Sequence, residues 1–267
     1  MSRRKPETTS AHEIAAGHVE LPIVYYDAAA VFAYFWCDHA RTGPLLHGTG
    51  MTAVGFGRGR ALVVLAFFNY YDTSIGPYHE VGTTIAAYPS AGKAPLMPTF
   101  GLFRRVKRRK VGFFVLDLPV STEIACSAGR ELWGYPKFVT ETPWSVESGR
   151  FTGKVQDPYS DAPLLTFKAA FGRGAPVPAS DLLLYSHLDD EILQTIVEVH
   201  ATAYTSRGAG AHLAVSPDHH RMADNLCDLG LDGAHPFLVQ SAPMYKSTLH
   251  SGAVHSRFPS PRLAYPT

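Results

Sequence analysis

A chain of 267 residues, 46% hydrophobic and 18% charged, has the composition of a folded globular protein and needs no disulfide or metal staple to bury a core. A net charge of +1 excludes a global field that would draw nucleic acid or an acidic membrane surface, and no run reaches the roughly 18 apolar residues of a membrane-crossing helix. The three cysteines, Cys37, Cys126 and Cys227, form neither a CxxC pair nor an even disulfide set, and residues 1–10 lack the apolar core of a secretory signal, so a reducing, cytoplasmic location is expected.

In chain order, residues 1–12 read as a loose polar tail. Asp27 stands where it would cap a helix over 28–39, opened by alanines and closed before Gly43-Pro44. From 51 to 171 the pattern is mostly β. Residues 61–71 are a long apolar run dense in Val and Phe, and strands over 82–88, 111–118 and 123–128 follow between Gly, Pro and Ser punctuation. Residues 137–146 and 150–155 predict a hairpin across Glu147-Ser148-Gly149, with another strand over 164–171. Residues 189–204 break the pattern: Asp189, Asp190 and Glu191 suit a helix start, and Ile192, Leu193, Ile196, Val197 and Val199 give it a buried stripe. A late strand is expected over 238–244, and the segment after Gly252 reads as a tail rich in Pro, Ser and Arg. Many short strands at close intervals predict an antiparallel sheet or barrel instead of βαβ units. With no internal repeat or linker, one domain is expected over 13–252, between tails 1–12 and 253–267.

The most informative stretch is Gly129-Arg130-Glu131-Leu132-Trp133-Gly134-Tyr135-Pro136-Lys137. It sets one lysine just after a proline in an aromatic neighbourhood. A lysine amine attacks carbon only when unprotonated, and a free pKa of about 10.4 leaves almost none so at neutral pH. Burial disfavours the charged form. With Trp133, Tyr135 and Phe138 as a pocket, Lys137 reads as a Schiff-base nucleophile for a carbonyl substrate. The same residues also fit a surface lysine laying its stem on apolar rings.

The order Gly-Arg-Glu-Leu-x-x-Tyr-Pro-Lys closely resembles the active-site segment of the acetoacetate decarboxylase family, in which the lysine after Tyr-Pro forms the Schiff base. Upstream, Asp72-Thr73-Ser74 followed by Tyr78-His79-Glu80 resembles the family's stretch bearing an active-site glutamate, which falls on Glu80. Ile23-Val24-Tyr25 is a vaguer echo, and the resemblance spans roughly residues 18–171. It implies a mainly β (α+β) fold, an antiparallel cone-shaped β-barrel with flanking helices, and a buried cavity holding Lys137. It also implies a homo-oligomer and a small-molecule keto acid substrate, with no metal, nicotinamide or pyridoxal required. The candidate catalytic residues are Lys137 and Glu80; the candidate substrate-binding residues are Tyr135, Trp133, Phe138, Arg130 and Tyr245. Three positions depart from the family pattern. Phe138 replaces a second lysine that would depress the nucleophile's pKa by repulsion, Ala66 falls at a second pocket glutamate, and His18 near a substrate-gripping arginine.

Other features read as structural. The basic run Arg104-Arg105-Val106-Lys107-Arg108-Arg109-Lys110 lies between β-like segments without interleaved aromatics, which fits a solvated or oligomer-contact loop. His219-His220 with Asp218 and Asp224 match no helical metal-ligand spacing, so no metal is expected. Gly55-x-Gly57-x-Gly59 precedes a strand, the wrong context for a dinucleotide loop. Arg130 and Glu131 fit a structural pair, Arg60 and Arg130 are candidate receivers of a substrate carboxylate, and Tyr245 and Lys246 are near a late strand.

The expected chemistry starts with attack of neutral Lys137 on a β-keto or 2-oxo acid to give an iminium. That electron sink lets a bond next to the carbonyl carbon break, leaving an enamine. Decarboxylation breaks C–CO₂⁻; aldolase or dehydratase work on a pyruvate-like substrate breaks C–H with an acid–base residue. A different class of answer is a non-catalytic barrel in which Lys137 pairs with a ligand anion.

Overall fold

Ile23–Asp38 is one long strand (β1), where a helix was expected over 28–39. Its alanines favour a helix in isolation, but propensity is a weak prior. Here the small residues let both faces of the strand be covered. Val31, Ala33, Phe35 and Cys37 enter one core, and Ala28, Ala30 and Phe32 another. The computed structural model describes residues 9–258 apart from 92–93, 96, 103, 172–173, 209 and 217–219.

Successive strands turn this start into a ring. Arg60–Thr73 (β2), Tyr78–Pro89 (β3) and Gly112–Asp117 (β4) follow β1 in antiparallel order. Leu182–Leu188 (β5) joins β4 through a parallel pairing and is antiparallel to Glu191–Arg207 (β6). Leu238–Ala242 (β7) and Tyr245–Leu249 (β8) pair with both β6 and β1, so the ladder returns to its first strand. The fold is mainly β, as expected, and one β4–β5 contact departs from the antiparallel rule.

The strand β6 occupies the segment expected to be a helix over 189–204. Its apolar residues satisfy a helical stripe, but they also alternate. Thr195, Val197 and Val199 are buried between the half-buried Ile196 and Glu198, and β-branched residues favour the pleated form. Asp189, with φ of 53°, sits in the tight turn that joins β5 to β6 in place of a helix start. The converse error is Glu123–Trp133 (α1), a helix where a strand was expected over 123–128. Ala125, Ala128, Gly129 and Trp133 recur at helical spacing and are buried along one face.

Outside the ring lies a second sheet of four strands in the order His212–Val215, Pro163–Ala170, Arg150–Gln156 and Trp144–Glu147. The hairpin across Ser148-Gly149 is as expected, although its first strand begins at Trp144 and not at 137. Pro136 and Pro143 cannot donate to a ladder, and residues 134–143 run as an irregular arm. Phe151, Val155, Leu165, Phe167 and Leu213 pack this sheet against Val31, Phe35, Leu65 and Phe67 of the ring. The helix Arg221–Asp228 (α2) adds Met222, Ala223 and Leu226 to that core, capped by His220 Nδ1, which accepts from the Met222 amide at 3.1 Å.

The ends and punctuation are more ordered than expected. Ser10–Ile14 pairs with Gly17–Leu21, and Ala253–Arg257 pairs with β6, while the outermost parts of both predicted tails lie outside the described residues. The segment around Gly55–Gly59 is a turn into β2, with Gly59 at φ 66°. The basic run forms a loop with a short 3-10 helix, Val106–Arg108, and Arg109 turns back to the carbonyls of Arg104 (2.6 Å) and Asp181 (2.7 Å).

Candidate active site

The irregular arm after α1 is what brings Lys137 inside. Gly134 ends the helix in the left-handed region at φ 62°, where glycine carries no steric penalty. A Cβ there would also collide with the carbonyl oxygen of His187. Beyond it the chain runs beside residues 118–120. The Leu118 and Val120 amides donate to the carbonyls of Pro136 (3.1 Å) and Phe138 (3.0 Å), and the Thr140 amide donates to that of Val120 (2.9 Å). On its other side this same segment pairs with β3 at Glu80. Lys137 and Glu80 therefore flank one extended segment from opposite sides, and their side chains meet. Lys137 Nζ donates to Glu80 Oε2 at 2.6 Å, with both side chains less than 10% exposed.

Gly129 makes room for this placement. A Cβ at that position would overlap Cδ and Cε of Lys137, so the lysine stem lies across a helix face bare of side chain. Trp133 completes the wall on the helix side. Its indole donates to the His250 carbonyl at 3.0 Å, and its ring stacks on Tyr135 at 6.0 Å and 8°.

The amine and carboxylate face a cavity of about 110 Å³ inside the ring. Val64, Ala66, Phe68 and Tyr70 line it as alternate residues of β2, over roughly 20 Å of strand. Its inner end carries buried phenols. Tyr70 donates to Glu80 Oε1 at 3.3 Å, and Tyr25 and Tyr78 share a hydrogen bond of 3.1 Å. Burial, reinforced by the Glu80 charge, raises the pKa of Tyr25, Tyr70, Tyr78, Tyr135 and Tyr245, so all five are neutral donors at physiological pH. The outer end is formed by the half-buried Tyr34, Thr84, Phe113 and Leu182.

Of the residues singled out from sequence, the structure brings Lys137, Glu80, Tyr135 and Tyr245 together on this lumen, along with Ala66. Trp133 stands behind the lysine without lining the lumen. Arg130 is exposed at the end of α1, outside it, and Glu131 accepts from the Ala15 amide at 3.0 Å, which anchors the N-terminal hairpin. Phe138 turns away: its ring lies 4.7 Å from that of His220, in the outer core. The side chain at position 138 thus leaves the arm away from the Lys137 amine. His18 is exposed and bonded to Glu13 at 2.9 Å, Arg60 lies over the Trp36 ring at 4.8 Å, and Lys246 points to the outside of β8. None of these lines the lumen. No cluster of metal-ligating side chains occurs among the described residues; His219 and Asp218 lie outside them. Tyr25, Tyr70 and Tyr78 were not singled out as site residues, although the alternation along 61–71 already put Tyr70 on the face of Ala66.

The sequence pattern that defines the acetoacetate decarboxylase family matches residues 10–206. The chain belongs to that family. No curated protein matches it. Among solved structures, it resembles acetoacetate decarboxylase from Legionella pneumophila at 14% identity, with TM-score 0.67 and coverage of 96% of this chain and 92% of that one. It resembles the enduracididine biosynthesis enzyme MppR in complex with pyruvate at 13% identity, with TM-score 0.61 and coverage of 89% and 91%. An acetoacetate decarboxylase-like enzyme from Sphingomonas wittichii RW1 matches at 14% identity, with TM-score 0.58 and coverage of 88% and 94%. At such identities the likeness establishes the fold. In this member of the acetoacetate decarboxylase family, the lysine after Tyr-Pro lines the lumen. Among the described residues no helix is long and apolar enough to cross a membrane.

Proposed function

We propose that this protein is a lyase-type enzyme that works through a Schiff base on Lys137. The observation that carries the reading is the buried Lys137–Glu80 pair, 2.6 Å apart on the wall of a lumen, in a chain of this family. Glu80 takes a proton from the ammonium, and the amine adds to the substrate carbonyl. The carbinolamine loses water as Glu80 returns the proton, which leaves an iminium. The iminium then draws electrons from a neighbouring bond, giving an enamine.

Which bond breaks separates two versions. Family membership supports loss of CO₂ from a β-keto acid. The position of Glu80 supports removal of an α-proton, the step shared by aldol and dehydration chemistry, because it supplies the base at hydrogen-bond distance from the reacting nitrogen. MppR, a structural relative, was solved with pyruvate and with the condensation product of pyruvate and imidazole 4-carboxaldehyde, in keeping with the second version.

The test is borohydride trapping followed by intact mass and peptide mapping. Wild type incubated with acetoacetate, pyruvate or a simple ketone should gain a stable adduct at Lys137, and Lys137→Ala should gain none there. Release of CO₂ from acetoacetate, or deuterium exchange at the α-carbon in heavy water, then assigns the bond. Reversible binding of keto acids with no adduct at Lys137 from any carbonyl compound would overturn the enzyme reading in favour of a binding barrel.

A further inference from the structure

The lumen also carries information about the charge of what enters it. Lys137 and Glu80 are the only ionisable acid and base among the described residues that line it, and they already neutralise each other at 2.6 Å. Every other polar side chain among the described residues that line it carries a neutral hydroxyl: Tyr25, Tyr34, Tyr70, Tyr135, Tyr245, Thr84 and Ser247. The wall between these hydroxyls is Val, Leu and Phe, including Val64, Phe68, Val115, Leu184 and Val197. The three candidate cations, His18, Arg60 and Arg130, all lie elsewhere.

We infer that the natural substrate is an uncharged carbonyl compound with an apolar body, and not a keto acid. The inference rests on the Schiff-base reading, and the charge balance of that chemistry supports it. An ammonium–carboxylate pair and a neutral ketone give an iminium–carboxylate pair and one water. The new C–N bond replaces C=O, and the oxygen leaves as water with both protons from the ammonium. Transfer of an α-proton to the Glu80 carboxylate then leaves a neutral enamine beside a neutral acid. The net charge of the lumen is zero at every stage. A substrate carboxylate would instead add a second negative charge next to Glu80 with no further cation among the described lining residues to receive it, the placement that proteins avoid unless a cation is supplied.

Size and donors agree. A cavity of about 110 Å³ is of the same order as the roughly 150 Å³ apolar cavity that holds benzene. It suits a short alkyl or aryl ketone, or the reactive end of a longer one that leaves past Phe113 and Leu182. The buried Tyr135 hydroxyl has Thr195 nearby yet makes no hydrogen bond within 3.5 Å. Tyr135 lines the same lumen as Lys137, and its neutral hydroxyl is a donor of the kind that a carbonyl oxygen accepts from.

Acetoacetate and pentan-2-one make the decisive pair, being close in shape and different in charge. Borohydride labelling of Lys137 would be followed against concentration for each, with pyruvate as a third probe. Pentan-2-one should reach half-labelling at a concentration at least ~10-fold below that for acetoacetate, and it should exchange its α-protons in heavy water. Leu182→Arg, which adds a cation at the half-buried outer end, should narrow or reverse the preference; if that variant does not fold, the wild-type ratio still decides. Equal labelling, or a preference for either keto acid, would overturn the substrate class while leaving the Schiff base intact. No label at Lys137 from any of the three would overturn the Schiff-base reading and this inference with it.

Discussion

Val63, Leu65 and Phe67 alternate along β2 with Val64, Ala66, Phe68 and Tyr70, yet the two sets belong to different parts of the protein. The first set faces outward and is sealed under the second sheet. Phe67 stacks on Phe167 at 5.9 Å and meets Phe151 edge-on at 5.3 Å, and Gly153 leaves the space its ring occupies. The second set borders the lumen that holds Lys137 and Glu80. One face is filled and dry; the other keeps room beside a buried ion pair. The difference teaches that the packed core and the lumen lining are written on alternate residues of one strand, so substitutions on the two faces should fail in different assays.

Two substitutions test this separation with the largest effects. On the lumen side, Glu80→Gln keeps the shape and a hydrogen-bonding partner for Lys137 but cannot take a proton. Deuterium exchange at the substrate α-carbon, read by NMR, should fall by about 10²- to 10⁴-fold, the usual worth of a general base, while the variant stays folded. On the outer side, Phe67→Ala should cost about 3–5 kcal/mol in urea unfolding, with borohydride labelling of the folded protein unchanged. Loss of labelling in the second variant without loss of stability would show that the faces are not separable.

The same alternation explains what the sequence revealed and what it hid. The motif around Lys137 was legible because its unusual residues each have a local job. Gly129 clears the lysine stem, Gly134 stops the helix in a left-handed turn, and Tyr135 and Lys137 face the lumen. Most strands over 60–171 were legible too, since alternate burial is a local pattern. The segments 28–39 and 189–204 were not, because their apolar residues fit periods of both 3.6 and 2, and only pairing with distant strands decides between them. Phe138 was misplaced for a related reason. Proximity in sequence suggested a shared pocket with Lys137, whereas neighbours in an extended arm point to opposite sides.

A smaller effect should appear at Asp117, the buried acid of the outer side. It meets Asn225 Nδ2 at 2.8 Å and Arg221 Nε at 3.8 Å, both from α2. Burial outweighs these partners and raises its pKa to about 7 from 3.8. Since the unfolded chain releases this proton near pH 4, the contribution of Asp117 to stability is full below that pH. It is lost as pH rises through about 7. The stability of wild type relative to Asp117→Asn should therefore decline between pH 4 and pH 8, by an amount on the order of a few kcal/mol. A constant difference across that range, measured by urea unfolding, would mean that Asp117 is ionised in the folded state throughout.

The sharpest test of the two-sided view expects the least change. Restoring the family's second lysine by Phe138→Lys would, on a reading from sequence alone, repair the nucleophile. In the structure position 138 packs beside His220 on the outer side, separated from the Lys137 amine by the backbone arm itself. A lysine there forfeits part of a half-buried hydrophobic contact and can carry its charge out to solvent along the stem. Phe138→Lys should therefore lower stability modestly, leave the rate of borohydride labelling at Lys137 as it was, and confer no decarboxylation of acetoacetate. A gain in labelling or CO₂ release would mean that charge at 138 is felt across the arm. The outward and lumen-facing residues would then have to be treated as one electrostatic unit.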